Sequence, residues 1–567
     1  MSRSGRSNPE ALDVAGFAHH LRLAATAGLL AGAAAAQAAA DRTPLLLGDD
    51  DRLLVLAAHP SDETLPAGGL IQEALALDLP VRLCFFTMGD NNEIAALLTR
   101  RHPALAPGPL RASGQHRQNE ALAAAIQLGM DAADVVFLGY PDAGTLDIWN
   151  HHWRTVAPYR SPLTRANAVP YDNALTPGSA HAGEDVLDDL IDVLRDFRPT
   201  HLVLPHPADH NVDHRALYLF ARVALWNLAD DGVAPQWLAA PVHFTRWPEP
   251  RRALPARPAE PPAFLATAGP WFEFALAPFQ ISNKLAALRR HHSQFQLAPE
   301  LLQAFVRKTE IFAAPADLAF PGGRGSAETA ESDDTEFRAD ENRLHELAQE
   351  ADAWHDLAGQ HEAEAAALAD ADNDFVQTRW TGDGQALTVA VRFRNPVAAP
   401  AQLSLRLFGY RGDVPFGDMP KIEIAATPRE IRSIEDLHRR QPVESVQLVA
   451  GGADEIAVRV PYALLGRPEK ILAGAWLMKK RLPIDGVPWR VLDLAGAPLP
   501  EAAAAPQPAP PVTEPPAPAP PVPMAESVVA PAAVPPPPRA APALAPRVNL
   551  PRRSLPEKSE ANEPVRW

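Results

Sequence analysis

Cysteine is almost absent from the sequence, with one residue among 567. A single thiol cannot form a disulfide framework, nor can it supply the set of thiolates that many structural zinc sites use. This residue, Cys84, lies in the apolar run VRLCFF, which indicates a buried small side chain. Any metal ion in this protein must therefore be bound by histidine and carboxylate side chains.

Positive charge is also scarce. The sequence has 52 Lys and Arg residues and 69 Asp and Glu residues, which gives a net charge of -17 at pH 7. Such a charge repels a phosphate backbone, and no basic cluster with interleaved aromatic residues offsets it. Nucleic acid is therefore not an expected partner. Beyond the N-terminus, no stretch reaches the roughly 18 apolar residues of a membrane-spanning helix, so the mature chain is expected to lack one.

The N-terminal residues 1–45 have the order of a secretory signal peptide. Arg3, Arg6 and Arg22 precede the apolar run LAATAGLLAGAAAA, which is followed by small residues typical of a cleavage site. Alanine-rich runs also form ordinary helices. The sequence thus leaves two alternatives, which are export to the periplasm or the exterior if this segment is a leader, and a cytoplasmic protein otherwise.

From Leu53 onward, short apolar runs alternate with helical stretches. The runs LLVLAA, VRLCFF, DVVFLGY and HLVLP predict buried strands, and the segments between them predict crossover helices. This order is typical of an α/β fold, Rossmann-like and doubly wound, with a mostly parallel sheet. Residues 46–320 are predicted to form this domain. We interpret VHFTRWP as a further strand, and NKLAALRRHHSQF and ELLQAFVRKTEIF as helices.

Three further segments differ in composition. Residues 321–372 are acidic and alanine-rich, which favours a solvated helical linker. Residues 373–496 alternate apolar and polar positions, as in ALTVAVRFR, and predict a small all-β sandwich domain. Its Trp476 and Trp489 are either core residues or a platform for a sugar ring. Residues 497–567 are rich in proline and predict a disordered tail, whose partner is unknown.

The first candidate site residues leave the end of the first predicted strand. In AAHPSDET, His59 and Asp62 stand three positions apart, directly before a helix. Two ligands of one ion can converge in such a turn. The alternative is that Asp62 caps the helix and His59 is a polar loop residue.

The second set follows the fourth predicted strand, in LPHPADHNVDHRAL, and comprises His206, Asp209, His210, Asp213 and His214. In a doubly wound sheet, both turns emerge at the same edge. One histidine and one carboxylate from the first turn can therefore meet one histidine from the second. Three protein ligands and an open water position are typical of a catalytic zinc site.

Several motifs occur in a characteristic order across residues 52–315, namely AHPSDE, TMGDNNE, RQNEALAAAIQLG, FLGYPDAG, DHNVDH, VHFTRWP and KLAALRRHHSQF. Together they resemble the PIG-L/LmbE family of zinc-dependent N-acetylglucosamine deacetylases. The resemblance implies a Zn²⁺ cofactor held by His59, Asp62 and His214. It also implies hydrolysis of the acetyl group from an N-acetylated amino sugar or glycoconjugate.

The chain departs from the family pattern at two positions. Ser61 stands where family members have the aspartate that acts as general base, and a serine cannot accept a proton at neutral pH. Asn211 stands where many members have a histidine that stabilises the tetrahedral intermediate. Asp213 is the favoured replacement base or orienting group. The others considered are Asp209, His206, His210 and Glu63. The alternative function is a catalytically weak or inactive protein that binds glycans or acts as a scaffold.

For substrate binding, the resemblance indicates Asp142, Arg117 and the loop that contains Asn91. Turn formation is the alternative for Asp142 and Asn91, and a surface ion pair with Glu120 is the alternative for Arg117. His243 either lines the site or is a satisfied histidine at a strand end. A dinucleotide-binding domain is not favoured, because no G-x-G-x-x-G follows the first strand.

Overall fold

The computed structural model describes residues 42–91, 107–244, 247–262, 265, 269–319, 328–332, 375–397, 399–437, 441–442, 445–449, 452–479 and 482–494. All of them belong to one unit of the chain, Met1–Ala502. The predicted leader up to residue 41, most of the predicted linker and the proline-rich tail lie outside the described residues. In the described part, no helix has both the length and the hydropathy needed to cross a bilayer.

An eight-stranded sheet forms the centre of the first region. Its strands in chain order are β1 Arg42–Pro44, β2 Leu53–Ala57, β3 Val81–Thr87, β4 Val135–Tyr140, β5 His201–Pro205, β6 Gln236–Ala240, β7 Trp271–Ala275 and β8 Thr309–Ala313. They are arranged as β1-β7-β8-β6-β5-β2-β3-β4. Every neighbouring pair is parallel except the two pairs made by β8. The predicted α/β fold with a mostly parallel sheet is confirmed.

The helices of this region are α1 Thr64–Ala76, α2 Pro107–Leu128, α3 Thr145–His151, α4 Gly183–Phe197, α5 Val212–Asn227, α6 Pro278–Leu288, α7 His292–Leu297 and α8 Pro299–Ala304. Helix α4 shows why these segments fold as they do. Its buried residues Val186, Leu190 and Val193 recur at helical spacing and form one face against the core. It ends where Arg198 adopts a left-handed conformation.

The chain order places a switch point between β2 and β5. From β2 the chain passes outward to β3 and β4, and then returns to the other side of β2 to form β5 and β6. The turns that follow β2 and β5 therefore lie side by side at one edge of the sheet, and the chain continues from them to opposite sides. In open α/β sheets, the crevice at this point is where ligands bind.

Two predicted elements are wrong. The described residues of VHFTRWP do not form a strand, since Phe244 makes only an isolated bridge to Trp247, and the strand before the segment is β6. Pro241 and Pro248 lack the N–H groups that a ladder needs. The helix predicted over ELLQAFVRKTEIF ends with α8, and Thr309–Ala313 forms β8 because its side chains are buried in pairing with β7.

The second region contains two sheets. Its strands are β9 Leu318–Ala319, β10 Glu328–Ser332, β11 Phe375–Gly382, β12 Ala386–Phe393, β13 Ala401–Tyr410, β14 Lys421–Ala426, β15 Ile431–Asp436, β16 Gln441–Pro442, β17 Gln447–Val449, β18 Glu455–Pro461, β19 Lys470–Lys479 and β20 Leu482–Asp493. The orders are β10-β11-β12-β18-β17 and β16-β15-β14-β13-β19-β20-β9. All pairs are antiparallel except β9 with β20.

The two sheets share an apolar core. Leu387 and Val389 of β12 belong to the same buried cluster as Leu403 and Leu405 of β13. Because these strands lie in different sheets, the predicted sandwich is confirmed. Strand β10 lies inside the segment predicted to be a helical linker, so the helix prediction is wrong over Glu328–Ser332, where the backbone pairs with β11.

The sandwich packs directly against α3 of the first region. The Trp149 ring lies 5.9 Å from that of Phe408 and 5.3 Å from that of Phe416, measured between centroids. Trp476 and Trp489 are buried in the same cluster, with Trp489 5.3 Å from Phe408. The core alternative for these two tryptophans is thus correct, and the sugar platform is wrong.

Candidate metal centre

The first turn of the site is stabilised by its own carboxylate. The backbone N–H of His59 donates to Oδ2 of Asp62 at 2.9 Å, and the N–H of Asp62 donates to the carbonyl of His59 at 3.1 Å. Helix α1 begins after Glu63 and has no side-chain cap. The alternative that Asp62 is only a helix cap is therefore wrong. Within the turn, Ser61 has φ +108°, in the left-handed region that favours glycine.

The second turn presents the start of α5. The side-chain oxygen of Asn211 accepts hydrogen bonds from the backbone N–H groups of Asp213 and His214, at 2.8 and 3.4 Å. Asn211 is thus a helix N-cap, a role that its sequence position before an apolar run also fits. Its predicted role at a tetrahedral intermediate stays a prediction. The cap fixes His214 in the first turn of α5, where its ring reaches Asp62 in the turn that follows β2.

The structure brings the three predicted metal ligands together. Oδ2 of Asp62 lies 3.0 Å from Nδ1 of His59 and 2.8 Å from Nε2 of His214. A fourth group, His243, lies with Nε2 3.9 Å from Oδ1 of Asp62. With one ligand atom from each of these four residues, all the ligand atoms lie within 4.8 Å of one another.

The second nitrogen of each buried histidine faces another carboxylate. Nδ1 of His214 lies 3.1 Å from Oδ2 of Asp209, and Nε2 of His59 lies 3.1 Å from Oδ2 of Asp213. Metal-binding histidines almost always donate their other N–H in this way, which fixes the tautomer and makes the ligand nitrogen more basic. The arrangement therefore leaves Nδ1 of His59 and Nε2 of His214 to face the shared carboxylate of Asp62.

Asp213 has no free acceptor position for a substrate proton. Besides His59, it accepts the backbone N–H of Ala143 at 2.7 Å, the N–H of Thr145 at 3.3 Å and the Thr145 hydroxyl. These contacts occupy both of its oxygens. The geometry therefore supports Asp213 as the orienting group for His59, and it counts against the interpretation of Asp213 as the replacement base.

The carboxylates of the cluster favour the binding of a positive charge. Burial disfavours a charged His214, yet the carboxylates of Asp209 and Asp62 raise its pKa to about 9. Burial likewise opposes a charged His59, but Asp142 leads a group of carboxylates that raise its pKa well above the usual range. Carboxylates that attract protons so strongly in a buried site also attract a divalent metal, whose binding displaces those protons.

The donor set also fits a zinc-sized ion. Imidazole nitrogen and carboxylate oxygen are among the usual ligands of Zn²⁺, at bond lengths of about 2.0–2.2 Å. Two donors on one tetrahedral ion then stand about 3.3 Å apart. The distances from Oδ2 of Asp62 to His214 and His59, 2.8 and 3.0 Å, and from Oδ1 of Asp62 to His243, 3.9 Å, bracket that value.

The predicted substrate residues lie beside this cluster. Oδ1 of Asp142 is 3.3 Å from Nε2 of His59, and Oδ2 accepts the backbone N–H of Asn91 at 3.0 Å. Asp142 therefore joins the loop after β3 to the metal cluster, and its side chain is partly exposed at 12%. The side chain of Asn91 has no such contact among the described residues, and Asn92 lies outside them.

Arg117 is buried and supports the loops. Its guanidinium donates to the carbonyl of Gly89 at 2.7 Å and to that of Pro60 at 3.1 Å. Since Arg117 and Glu120 are both only 5% exposed, the surface-pair alternative is wrong. Arg117 holds together the turns that follow β2 and β3, and it balances part of the negative charge of Asp142.

Other base candidates are occupied elsewhere. Glu63 is fully buried, accepts the N–H of Ser61 at 2.9 Å and lies 2.9 Å from Nε2 of His291. The His206 ring stacks on Trp271 with centroids 6.4 Å apart, and burial lowers its pKa to about 3. The His210 ring packs at 5.4 Å from that of Phe244.

Sequence reasoning missed the partner of Asp90. The Tyr171 hydroxyl donates to Oδ2 of Asp90 at 2.6 Å, and burial together with nearby Asp142 raises the pKa of Asp90 to about 7. Tyr171 stands 81 positions along the chain from Asp90 in no recognisable motif. Thr145 was also missed, although the helix that follows PDAG could have suggested it.

An α/β sheet with imidazole and carboxylate side chains gathered at its switch point defines a protein with a candidate catalytic metal centre. Comparison with known proteins identifies the family. Residues 54–225 match the family described as PIG-L: GlcNAc-PI de-N-acetylase, so the chain contains a PIG-L family domain. The resemblance to the PIG-L family is confirmed over these residues.

Relatives of this domain include proteins named 1D-myo-inositol 2-acetamido-2-deoxy-alpha-D-glucopyranoside deacetylase. That of Kribbella flavida is 29% identical over 207 residues, which are 35% of this chain and 62% of the relative. That of Mycobacterium sp. (strain KMS) is 31% identical over 173 residues, 30% of this chain and 48% of the relative. The chain thus spans about half to two thirds of the length of these relatives.

Among solved structures, the N,N'-diacetylchitobiose deacetylase of Pyrococcus horikoshii is similar at 18% sequence identity. The match covers 47% of this chain and 85% of that protein, with a TM-score of 0.29. A score of this size adds nothing to the family match.

Proposed function

We propose that this chain is a zinc-dependent hydrolase that removes the acetyl group from an N-acetylated amino sugar or glycoconjugate. One observation carries the proposal. His59, Asp62 and His214 converge at the sheet switch point, and separate carboxylates hold the second nitrogen of each histidine. The family match and the names of the relatives support the reaction class.

The proposed ligand set leaves a catalytic type of site. A zinc ion bound there would polarise an amide carbonyl and make a bound water acidic near neutral pH. Asp209 and Asp213 hold the two histidines in the tautomers that binding requires. Asp142, partly exposed beside His59, is placed to accept a hydrogen bond from a sugar hydroxyl.

Ser61 should limit the rate of hydrolysis. Its backbone N–H is engaged by Glu63, and its hydroxyl cannot act as a base near pH 7. Loss of a general base costs on the order of 10²–10⁴ in rate. We therefore expect slow hydrolysis compared with a family member that has an aspartate at this position.

A second candidate function is binding of an N-acetylated sugar without turnover. The observation that favours it is the combination of Ser61 with an Asp213 carboxylate whose oxygens are already occupied. In this case the metal and Asp142 would hold the sugar, and no side chain would remove the proton from water.

The test is acetate release by the full chain from two probes, 1D-myo-inositol 2-acetamido-2-deoxy-α-D-glucopyranoside and N,N'-diacetylchitobiose. Hydrolysis should occur, stop after treatment with a zinc chelator and return when zinc is added. Calorimetric binding of a probe without acetate release would favour the second candidate. If the protein neither binds nor hydrolyses either probe, the proposal for this substrate class is wrong.

A further inference from the structure

His243 follows β6 at the same edge of the sheet as the two metal-site turns. Its backbone N–H donates to Oδ2 of Asp209 at 2.9 Å, and its carbonyl accepts the N–H of His210 at 3.1 Å. Asp209 is fully buried and uses the same oxygen for Nδ1 of His214. One carboxylate therefore positions both the backbone of His243 and the side chain of His214.

The imidazole of His243 points into the metal cluster. Its centroid lies 4.6 Å from that of His214, nearly edge-on at 73°, and 6.5 Å from that of His59. Its Nε2 lies 3.9 Å from Oδ1 of Asp62. Within the described part of the chain the imidazole makes no hydrogen bond, so the cluster is its nearest polar surrounding.

His243 differs from the other three members of the cluster in exposure. Its side chain is 32% exposed, whereas those of His59, Asp62 and His214 are 9% or less. It therefore lies on the open side of the cluster, where substrate and water must enter.

We propose that His243 is a fourth protein ligand of the metal, an inference that rests on the proposed metal centre. The site then has three imidazoles and one carboxylate, a set that fills four-coordinate zinc. A zinc ion held by these four residues would admit water only with a fifth ligand position or after release of His243. Because its ring is the most exposed of the four, His243 is the ligand that substrate would displace.

The proposal accounts for two features of the chain together. The carboxylate that would hold the metal-bound water is absent at Ser61, and an imidazole from a different strand end reaches the same centre. A chain with this combination holds its metal more firmly and turns over more slowly. Replacing His243 should therefore weaken metal binding without abolishing hydrolysis.

The experiment compares the full-length wild-type protein with His243→Ala and with His292→Ala, an exposed histidine at the start of α7. Each is loaded with Co²⁺, and its visible spectrum is recorded. The Zn²⁺ affinity is then measured by competition with a chromophoric chelator. Far-UV circular dichroism checks that each variant is folded.

The proposal predicts that His243→Ala lowers Zn²⁺ affinity by more than about tenfold and changes the Co²⁺ spectrum. His292→Ala should match the wild type. Acetate release by metal-saturated His243→Ala should be higher, because removal of the imidazole opens a position for water. If the affinity and spectrum of His243→Ala equal those of the wild type, His243 is not a ligand, although the metal centre stands. If the wild type itself binds no metal, the proposed function fails as well.

Discussion

The α/β region and the sandwich bury different kinds of side chain. In the α/β region, histidines and carboxylates are buried together around Asp62, and each charge has a partner. In the described part of the sandwich, the buried polar residues are Thr378, Ser404, Lys421 and Asp436, against a core of aliphatic and aromatic side chains. Buried charge is costly unless it is paired, so its concentration marks where function is located.

The contact between the two regions lies close to the candidate metal centre. Lys421 of the sandwich is fully buried, and its ammonium group lies 4.5 Å from the Trp153 ring while it donates to the Phe416 carbonyl at 2.8 Å. Trp149 and Trp153 come from or directly follow α3, and α3 begins at Thr145, which donates to Asp213. The sandwich therefore supports the helix that follows Asp142.

The largest effect is expected from a substitution that removes a proposed metal ligand from the α/β region. His214→Ala takes away one imidazole and leaves Asp62 and Asp209 without their shared partner. We expect loss of stoichiometric zinc and of measurable hydrolysis, since both depend on the same centre. Elemental analysis and acetate release check this, with His292→Ala as the control. Retention of zinc by folded His214→Ala would remove this residue from the ligand set.

The second effect concerns the missing base. Ser61→Asp restores a carboxylate at the position where family members carry it. Acetate release should rise, by up to about 10²-fold if proton transfer limits the rate. The φ of +108° is unfavourable for serine and aspartate alike, so the substitution exchanges one strained side chain for another. Loss of activity in a zinc-loaded Ser61→Asp protein would mean that the serine itself has a positive role.

The third prediction compares one substitution in each of the two hydrophobic cores. Trp149→Ala and Trp380→Ala each remove a fully buried tryptophan, the first from α3 and the second from inside the sandwich. Each should lower the free energy of unfolding by about 3–5 kcal/mol. Only Trp149→Ala should also lower kcat/KM of the folded protein, because it loosens the support of Asp142 and Asp213. Denaturant titration and acetate assays measure both quantities; equal kcat/KM would refute the support by the sandwich.

The smallest expected effect is a pH dependence of stability. The pKa of Asp90 rises to about 7 on folding, so between roughly pH 4 and pH 7 the folded state holds a proton that the unfolded state has lost. Stability from this group therefore falls as the pH rises through that window, by at most about 1.4 kcal/mol per pH unit. Asp90→Asn should remove this fall. Denaturation curves at several pH values test it, and an unchanged slope would show that Asp90 is ionised throughout.

The sequence predicts the parts of this molecule that local pattern determines. The four strands β2 to β5 and their crossover helices are apolar runs bounded by turns, and the candidate metal motif consists of two short segments at strand ends. A short apolar stretch such as TEIFA fits either a helix or a strand, and pairing with β7 decides the outcome. That information lies outside the segment.

The same limit applies to the site. The meeting of His59 and Asp62 with a histidine of the second turn can be predicted because both turns follow parallel strands. The choice of His214 among the histidines of that turn comes from the family resemblance. The burial of Arg117 and the hydrogen bond of Tyr171 to Asp90 depend on the path of loops across the sheet. The role of Asn211 as a helix cap follows from local geometry that competes with the family pattern.

The most direct test of the central claim is the metal content of the purified full-length protein. After dialysis against zinc and then against metal-free buffer, elemental analysis should find one zinc ion per wild-type chain. The wild-type chain should lose that ion on chelation and regain it on adding zinc. If the wild-type protein retains no divalent metal under these conditions, the cluster around Asp62 is a hydrogen-bonded network and the account of a metal-dependent hydrolase is wrong.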